Sequence, residues 1–174
     1  MTKQTGAKRD IRQLSLKDIQ DFFVSIGEKP FRAKQVYEWL WKKSAKDFDQ
    51  MTNISKDLKA KLKKICVIEG PEIIEEQQSE DGTVKWALRT KDGQAIETVF
   101  IPDGERGTLC ISSQVGCALD CSFCSTAQQG FNRNLSMAEI IGQVWRVAND
   151  IGATRITGKR PITNIVMMGM GEPL

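Results

Sequence analysis

The chain has 174 residues, of which 40% are hydrophobic, 7% aromatic and 27% charged, a composition typical of a soluble globular protein of one domain or two small ones. It has no apolar run near the roughly 20 residues that cross a membrane and no secretory signal at its N-terminus, so we expect a cytoplasmic protein. The net charge of +3 is segregated, with +8 over residues 1–65, −6 over 66–104 and +1 over 105–174. The basic first third favours contact with a polyanion such as RNA, and a solvated helical surface is the alternative.

The first third predicts a helical accessory domain of three short amphipathic helices. Ser15 and Asp18 have the spacing of a capping box, and the apolar residues after them recur at helical spacing until Gly27. A second helix is expected after Pro30 and a third from about Ser55. Aromatic side chains are expected in the core of this bundle rather than stacked on bases; they are Phe22, Tyr37, Trp39 and Trp41.

Residues 66–104 predict an acidic β-meander that links this bundle to the rest of the chain. Three strand-like segments alternate with two turn signals. The segments are Ile73–Gln78, Val84–Arg89 and Ala95–Ile101, and the turns contain Asp81-Gly82 and Asp92-Gly93.

Residues 105–174 predict a βαβ unit, which makes this part α/β and the whole chain α+β. A strand over Thr108–Ser113 is followed by a cysteine-rich loop and by a helix over Met137–Asn149, capped by Ser136. The nearly all-apolar segment Ile162–Met168 is typical of a parallel strand covered on both faces. The helix is expected to bury the side chains of Ile140, Ile141, Val144, Trp145 and Ala148.

Three of the five cysteines have the spacing C-x3-C-x2-C: Cys117, Cys121 and Cys124. Three thiolates on one short loop can converge on a metal centre but leave a tetrahedral set one ligand short. The chain contains no histidine to complete the set. The pattern favours an iron–sulfur cluster with an open position over a disulfide framework. Three unrelated thiols, or a zinc site completed from elsewhere, are the alternatives.

The last strand runs into the sequence Met168-Gly169-Met170-Gly171-Glu172-Pro173-Leu174. Glycines beyond the carboxyl end of a buried strand let a ligand approach the backbone, and a carboxylate there accepts hydrogen bonds from an ammonium group. One βα unit after a three-cysteine loop, Gly171 and Glu172 are therefore candidate ligand-binding residues.

The cysteine loop and the Gly-Glu-Pro strand end together resemble the radical S-adenosylmethionine (radical SAM) superfamily. Longer segments narrow the resemblance to the RlmN/Cfr family, and within it to RNA adenine-C2 methyltransferases. These segments are Thr108–Cys117, Cys124–Leu135 and Met167–Leu174. The similarity covers most of residues 95–174 and is looser before them, where the helical bundle resembles the family's N-terminal accessory domain.

The resemblance implies that residues 105–174 begin a partial (βα)6 radical SAM barrel, truncated in this chain. It implies that Cys117, Cys121 and Cys124 hold a [4Fe-4S] cluster whose fourth iron is chelated by S-adenosylmethionine, and that Gly171 and Glu172 receive the methionine amino group. A radical route is needed because adenine C2 is not nucleophilic. The family methylates one of its own cysteines and then adds the resulting carbon radical to the base.

The resemblance also gives roles to residues that the pattern alone does not single out. Glu97 matches the carboxylate proposed to take the C2 proton, and Cys110 matches the thiol that releases the product by forming a disulfide with the methyl-carrying cysteine. From their positions alone, Glu97 is a meander residue and Cys110 a buried strand cysteine. Cys66 has no matching role, and we expect it to be structural.

The implied partners are large-subunit (23S) ribosomal RNA, tRNA and an electron donor such as flavodoxin. An adenine-C8 rRNA methyltransferase, a radical SAM enzyme of a small molecule and a non-enzymatic RNA-binding module with zinc are the alternatives. Family members are longer, and the methyl-carrying cysteine has no counterpart in this chain. We therefore expect an unpaired sheet edge and an uncovered apolar face in residues 105–174, and no methyl transfer by this chain alone.

Overall fold

The structure is a computed structural model that describes residues 8–119, 121–152 and 161–173. It divides into two compact units, Met1–Glu69 and Gly70–Leu174. Among the residues described, no helix is both long and apolar enough to cross a lipid bilayer. The finer division at residues 65 and 104 stays a prediction.

The first unit contains the three predicted helices, and each begins where its sequence signal lies. They are α1 (Leu16–Ser25), α2 (Pro30–Trp41) and α3 (Lys56–Ile65). Ser15 and Asp18 form the predicted capping box, Gly27 follows the end of α1 with φ +78°, and Ser55 caps α3. Two short strands, β1 (Arg9–Asp10) and β2 (Cys66–Val67), pair in parallel.

The core of the first unit confirms the packing role of its aromatic residues. Phe23 and Leu40 are fully buried at its centre with Leu62 from α3. Trp39 is 7% exposed, and Phe22, Tyr37 and Trp41 are partly buried against the same cluster. Aromatic side chains therefore hold the helices together, as their helical spacing predicts.

The second unit is built on a mixed five-stranded sheet with the order β3-β4-β5-β6-β9. Its elements in chain order are β3 (Glu72–Gln78), β4 (Val84–Arg89), β5 (Ala95–Asp103), β6 (Arg106–Cys110), β7 (Gln114–Gly116), α4 (Ser125–Gln128), β8 (Phe131–Asn134), α5 (Met137–Asp150) and β9 (Asn164–Val166). The strands β3 to β6 are antiparallel neighbours, β9 pairs in parallel with β6, and β7 with β8 forms a separate hairpin. The meander and the βαβ unit are thereby confirmed.

One face of this sheet is buried and the other is open. Trp86, Leu88, Ile96 and Leu109 are each at most 1% exposed and share a cluster with Val147 of α5. The residues between them point to the opposite face, because successive side chains on a strand alternate. The described part of the chain forms an open mixed sheet and not a barrel.

Two details of the predicted burial are wrong. In α5, Ile141 is 41% exposed, whereas Val147, which was not predicted, is fully buried. The last strand is not covered on both faces, since Ile165 is 51% and Met168 is 79% exposed. The reason is that β9 ends the sheet and pairs only with β6 among the strands described. This confirms the predicted unpaired edge and uncovered apolar face.

Candidate active site

The cysteine loop is held closed at its neck by the β7–β8 hairpin. The Cys117 N–H donates to the carbonyl oxygen of Gly130 at 3.2 Å. Gly116 has φ +73°, and a Cβ at this position would collide with that same carbonyl oxygen. Only glycine fits here, so the two ends of the loop meet in a fixed arrangement.

Arg133 fixes the return strand of the loop to the sheet and to α5. Its guanidinium donates two hydrogen bonds to Asp92 (2.7 and 2.9 Å) and two to Glu139 (2.9 and 2.8 Å). Asp92 lies in the turn between β4 and β5, and Glu139 forms the capping box of α5 with Ser136. The hydrogen bonds from Arg133 lower the pKa of the Asp92 carboxyl, and Asp92 in turn raises the pKa of Arg133.

The three loop cysteines are half-buried free thiols. The Cys117 sulfur accepts a hydrogen bond from the Leu119 N–H at 3.4 Å. Cys124 lies at the start of α4, where the N–H groups of Ala127 and Thr126 lower the pKa of its thiol.

The structure does not bring the three sulfurs into one metal-binding group. Within the described ranges, no three Cys, Asp or Glu side chains lie close enough together to hold a metal ion. The donor set itself fits an iron–sulfur cluster, because three thiols lie on one short loop whose neck is closed. The disulfide implied by the resemblance is not supported, since all five cysteines are free.

The segment after β9 packs tightly against the chain that joins β6 to β7. Gly169 N–H donates to the Ile111 carbonyl at 3.0 Å, and the Met170 carbonyl accepts from the N–H groups of Ser113 (2.9 Å) and Gln114 (3.2 Å). A Cβ at Gly169 would lie 2.7 Å from the Ile111 carbonyl carbon. At Gly171, which has φ +100°, it would lie 2.5 Å from the Gln114 Cβ. Both glycines are thus required by contacts within the chain, a reason that the sequence did not indicate.

Glu172 lies at the end of this segment. Its backbone N–H donates to the side-chain oxygen of Gln114 at 3.1 Å. Its carboxylate makes no hydrogen bond or ion pair with any residue that the structure describes. The backbone of Glu172 is thus held by Gln114.

Glu97 and Cys110 lie on the open face of neighbouring strands. Val99 is the register partner of Cys110, and Glu97 is two residues before Val99, so all three share one face. The Glu97 carboxylate is 3.2 Å from the ammonium of Lys85. Burial raises the pKa of the Cys110 thiol, against a smaller opposite effect of the Met168 N–H. That contact places Cys110 beside Met168, where the Gly-Glu segment (residues 168–172) begins.

Two buried polar residues of this region were missed by the sequence analysis. They are Gln143 of α5 and Ser112, which follows β6. Both are fully buried, and the Gln143 side chain makes two hydrogen bonds with the Ser112 backbone. The signal was available for Gln143, since it lies at helical spacing between Ile140 and Val147 on the inward side of α5. An amide at such a position needs polar partners inside the protein.

Two comparisons with known proteins find relatives of this chain. Residues 9–68 match the ribosomal RNA large subunit methyltransferase N-terminal domain, RlmN_N. A solved structure of a radical SAM methyltransferase from Sphaerobacter thermophilus is 40% identical over 95% of this chain, with a TM-score of 0.79. The chain belongs to the radical SAM methyltransferase family. It carries an RlmN-type N-terminal domain and spans 48% of the solved methyltransferase, so it is about half as long.

Proposed function

We propose that this protein is a radical SAM RNA methyltransferase of the RlmN type, acting on adenine C2 in large-subunit (23S) ribosomal RNA and in tRNA. The observation that best supports this is that Glu97 and Cys110 share one open sheet face, with Cys110 beside Met168, just before Gly171 and Glu172. The placement supports the proposal because these residues match positions to which the sequence resemblance assigns catalytic and binding roles.

Cys117, Cys121 and Cys124 are the residues that would hold the [4Fe-4S] cluster, which when bound supplies the electron for cleavage of S-adenosylmethionine. The closed neck at Gly116 and Gly130 supports this role, because it fixes the position at which the loop leaves the sheet. An electron donor such as flavodoxin is part of the proposal, as is a cytoplasmic location.

Gly171 and Glu172 would receive the methionine amino group. The carboxylate of Glu172 can accept hydrogen bonds from an ammonium group, and its backbone is already held by Gln114. The positively charged amino group and the carboxylate attract each other most strongly where water is excluded. A segment held in place before the ligand arrives loses less entropy on binding.

Glu97 would take the C2 proton, and Cys110 would be the thiol that releases the methylated base. Lys85 holds the Glu97 carboxylate over the open face through their 3.2 Å ion pair. Because burial raises its pKa, Cys110 stays a protonated thiol at neutral pH. The strand register puts both groups on the open face of the sheet, and this is the side on which a base has room to enter.

The substrate class is supported by the first unit. Residues 1–65 carry a net charge of +8, which favours contact with RNA phosphates. The matched domain is that of large-subunit ribosomal RNA methyltransferases, which supports ribosomal RNA as the substrate. A partial (βα)6 barrel, in which further strands pair with β9, would enclose the open face, and the greater length of the solved relative supports it.

The test is anaerobic reconstitution with iron and sulfide, metal analysis, and EPR of the reduced protein with and without S-adenosylmethionine. We expect iron and sulfide in the ratio of a [4Fe-4S] cluster and a spectrum that changes when S-adenosylmethionine is added. Cys121→Ser should lose the iron, whereas Cys66→Ser, a change in the first unit, should retain it. Zinc, or a spectrum indifferent to S-adenosylmethionine, would instead support a non-enzymatic RNA-binding module. Methylation of adenine by this chain alone would contradict the expected need for a further cysteine.

A further inference from the structure

A buried hydroxyl joins the backbone of Glu97 to the Gly-Glu segment. Ser112 is fully buried, and its Oγ donates to the Glu97 carbonyl at 2.6 Å. The same Oγ accepts a hydrogen bond from the Met170 N–H at 2.8 Å. One atom thus uses its donor and its acceptor capacity on two segments that are distant in sequence, β5 and the segment after β9.

The side chain of Gln143 holds the backbone of Ser112 in place. Its side-chain oxygen accepts from the Ser112 N–H and from the Thr98 hydroxyl, each at 2.8 Å. Its side-chain nitrogen donates to the Ser112 carbonyl at 2.9 Å. Gln143 is fully buried, so each of these bonds is made where water does not replace it. Rotation or displacement of Ser112 therefore breaks several buried hydrogen bonds at once.

We propose that Ser112 and Gln143 are positioning residues, which hold Glu97 and the Gly171-Glu172 segment at a fixed separation from each other. The inference rests on the proposed function of those two groups. Neither Ser112 nor Gln143 reaches the open face, because the network lies between the sheet and α5. They act through the backbone of the residues that contact substrate, and a displacement of about 1 Å at such a site costs a large factor in rate.

The test compares Ser112→Ala with Thr98→Val in the full chain. Ser112→Ala removes the bonds to both Glu97 and Met170. Thr98→Val keeps the side-chain shape and removes only the bond from Thr98 to Gln143, which leaves the link between the two site segments intact. If Ser112→Ala does not fold, Gln143→Met is the second variant. Its side chain is about as long as that of glutamine, and it removes both hydrogen bonds to the Ser112 backbone.

Two readouts separate positioning from general stability. By hydrogen-exchange mass spectrometry, Ser112→Ala should show roughly tenfold faster exchange at residues 169–172 than the wild type. After reconstitution its iron content should be unchanged, while its Kd for S-adenosylmethionine rises by roughly tenfold. Thr98→Val should lower the melting temperature and leave both the local exchange and the Kd within about twofold of the wild type.

Failure of the two proposals can be told apart. If the wild type binds S-adenosylmethionine and Ser112→Ala matches it in Kd and in exchange at residues 169–172, the positioning role is refuted alone. Equal effects of Thr98→Val and Ser112→Ala would refute it as well, since a general loss of stability would then suffice. If the reconstituted wild type does not bind S-adenosylmethionine, the proposed function fails and the positioning role fails with it.

Discussion

Gly116 offers the sharpest test of how the cysteine loop is held. Alanine at this position must adopt φ near +73° and places its Cβ against the Gly130 carbonyl oxygen. The same oxygen accepts the Cys117 N–H, so relief of the clash opens the neck of the loop. Gly130→Ala is the matched control, because Gly130 has a similar φ of +70° but no other atom lies within 4 Å of its added Cβ.

The expected magnitudes follow from the separate costs. A left-handed backbone costs an alanine about 1–2 kcal/mol, and this applies to both variants. Gly116→Ala adds overpacking of about 1–3 kcal/mol and the loss of the Cys117 hydrogen bond, about 0.5–1.5 kcal/mol. The smaller entropy of the unfolded alanine chain stabilises both variants alike and cancels in the comparison. Gly116→Ala should therefore be less stable than Gly130→Ala by about 1.5–4.5 kcal/mol.

The assay is urea-dependent hydrogen exchange of peptides from the second unit, because a chain of two units does not justify a single two-state fit. Reconstitution should then show less iron bound by Gly116→Ala than by Gly130→Ala, since only the first variant displaces Cys117. Equal stabilities of the two variants would refute the reasoning, because they would mean that the neck tolerates a Cβ at either glycine.

Three further changes test other parts of the structure. Because Arg133 lowers its pKa, Asp92 stabilises the fold above the ordinary Asp pKa of about 3.9 and loses that contribution as the pH falls below it. Between pH 7 and pH 3, Asp92→Asn should therefore lose less stability than the wild type, as measured by the midpoint of urea unfolding. An equal loss in both proteins would contradict a stabilising ion pair between Asp92 and Arg133. Cys66 should be the last of the five cysteines alkylated at pH 8, since burial raises the pKa of its thiol to about 11, and peptide mass spectrometry would reveal earlier labelling. Ser136→Ala removes the cap of α5 and should cost about 1 kcal/mol of unfolding free energy, with no change contradicting the capping box.

The sequence predicts the local structure of this protein well, because most of its elements carry their own start and stop signals. Ser15, Ser55 and Ser136 all cap the helices that their spacing indicates. Gly82 and Gly93 take the positive φ that the predicted turns of the meander need. Such signals depend on neighbouring residues only, and so they can be read without knowledge of the fold.

What the sequence does not reveal depends on contacts between distant residues. The apolar run before Gly169 predicts burial on both faces, but β9 has one neighbour in the described sheet, and Ile165 is exposed. The packing of Gly171 against Gln114 and the link from Gln143 to Ser112 each join segments far apart in the chain. The cysteine loop was found from its spacing alone, whereas the placement of Glu97 beside Cys110 required the strand register.

The mixed sheet also sets an order for folding. The strands β3 to β6 follow one another along the chain, so their hairpins close short loops, whereas β9 pairs with β6 across 56 residues, as Thr108 with Asn164 shows. Closing the longer loop costs more chain entropy, so we expect the local meander to form before the parallel strand is added. The segment that ends in Glu172 can dock on residues 111–114 only after that step. We therefore expect the cysteine loop and its hairpin to form before residues 169–172 dock on residues 111–114.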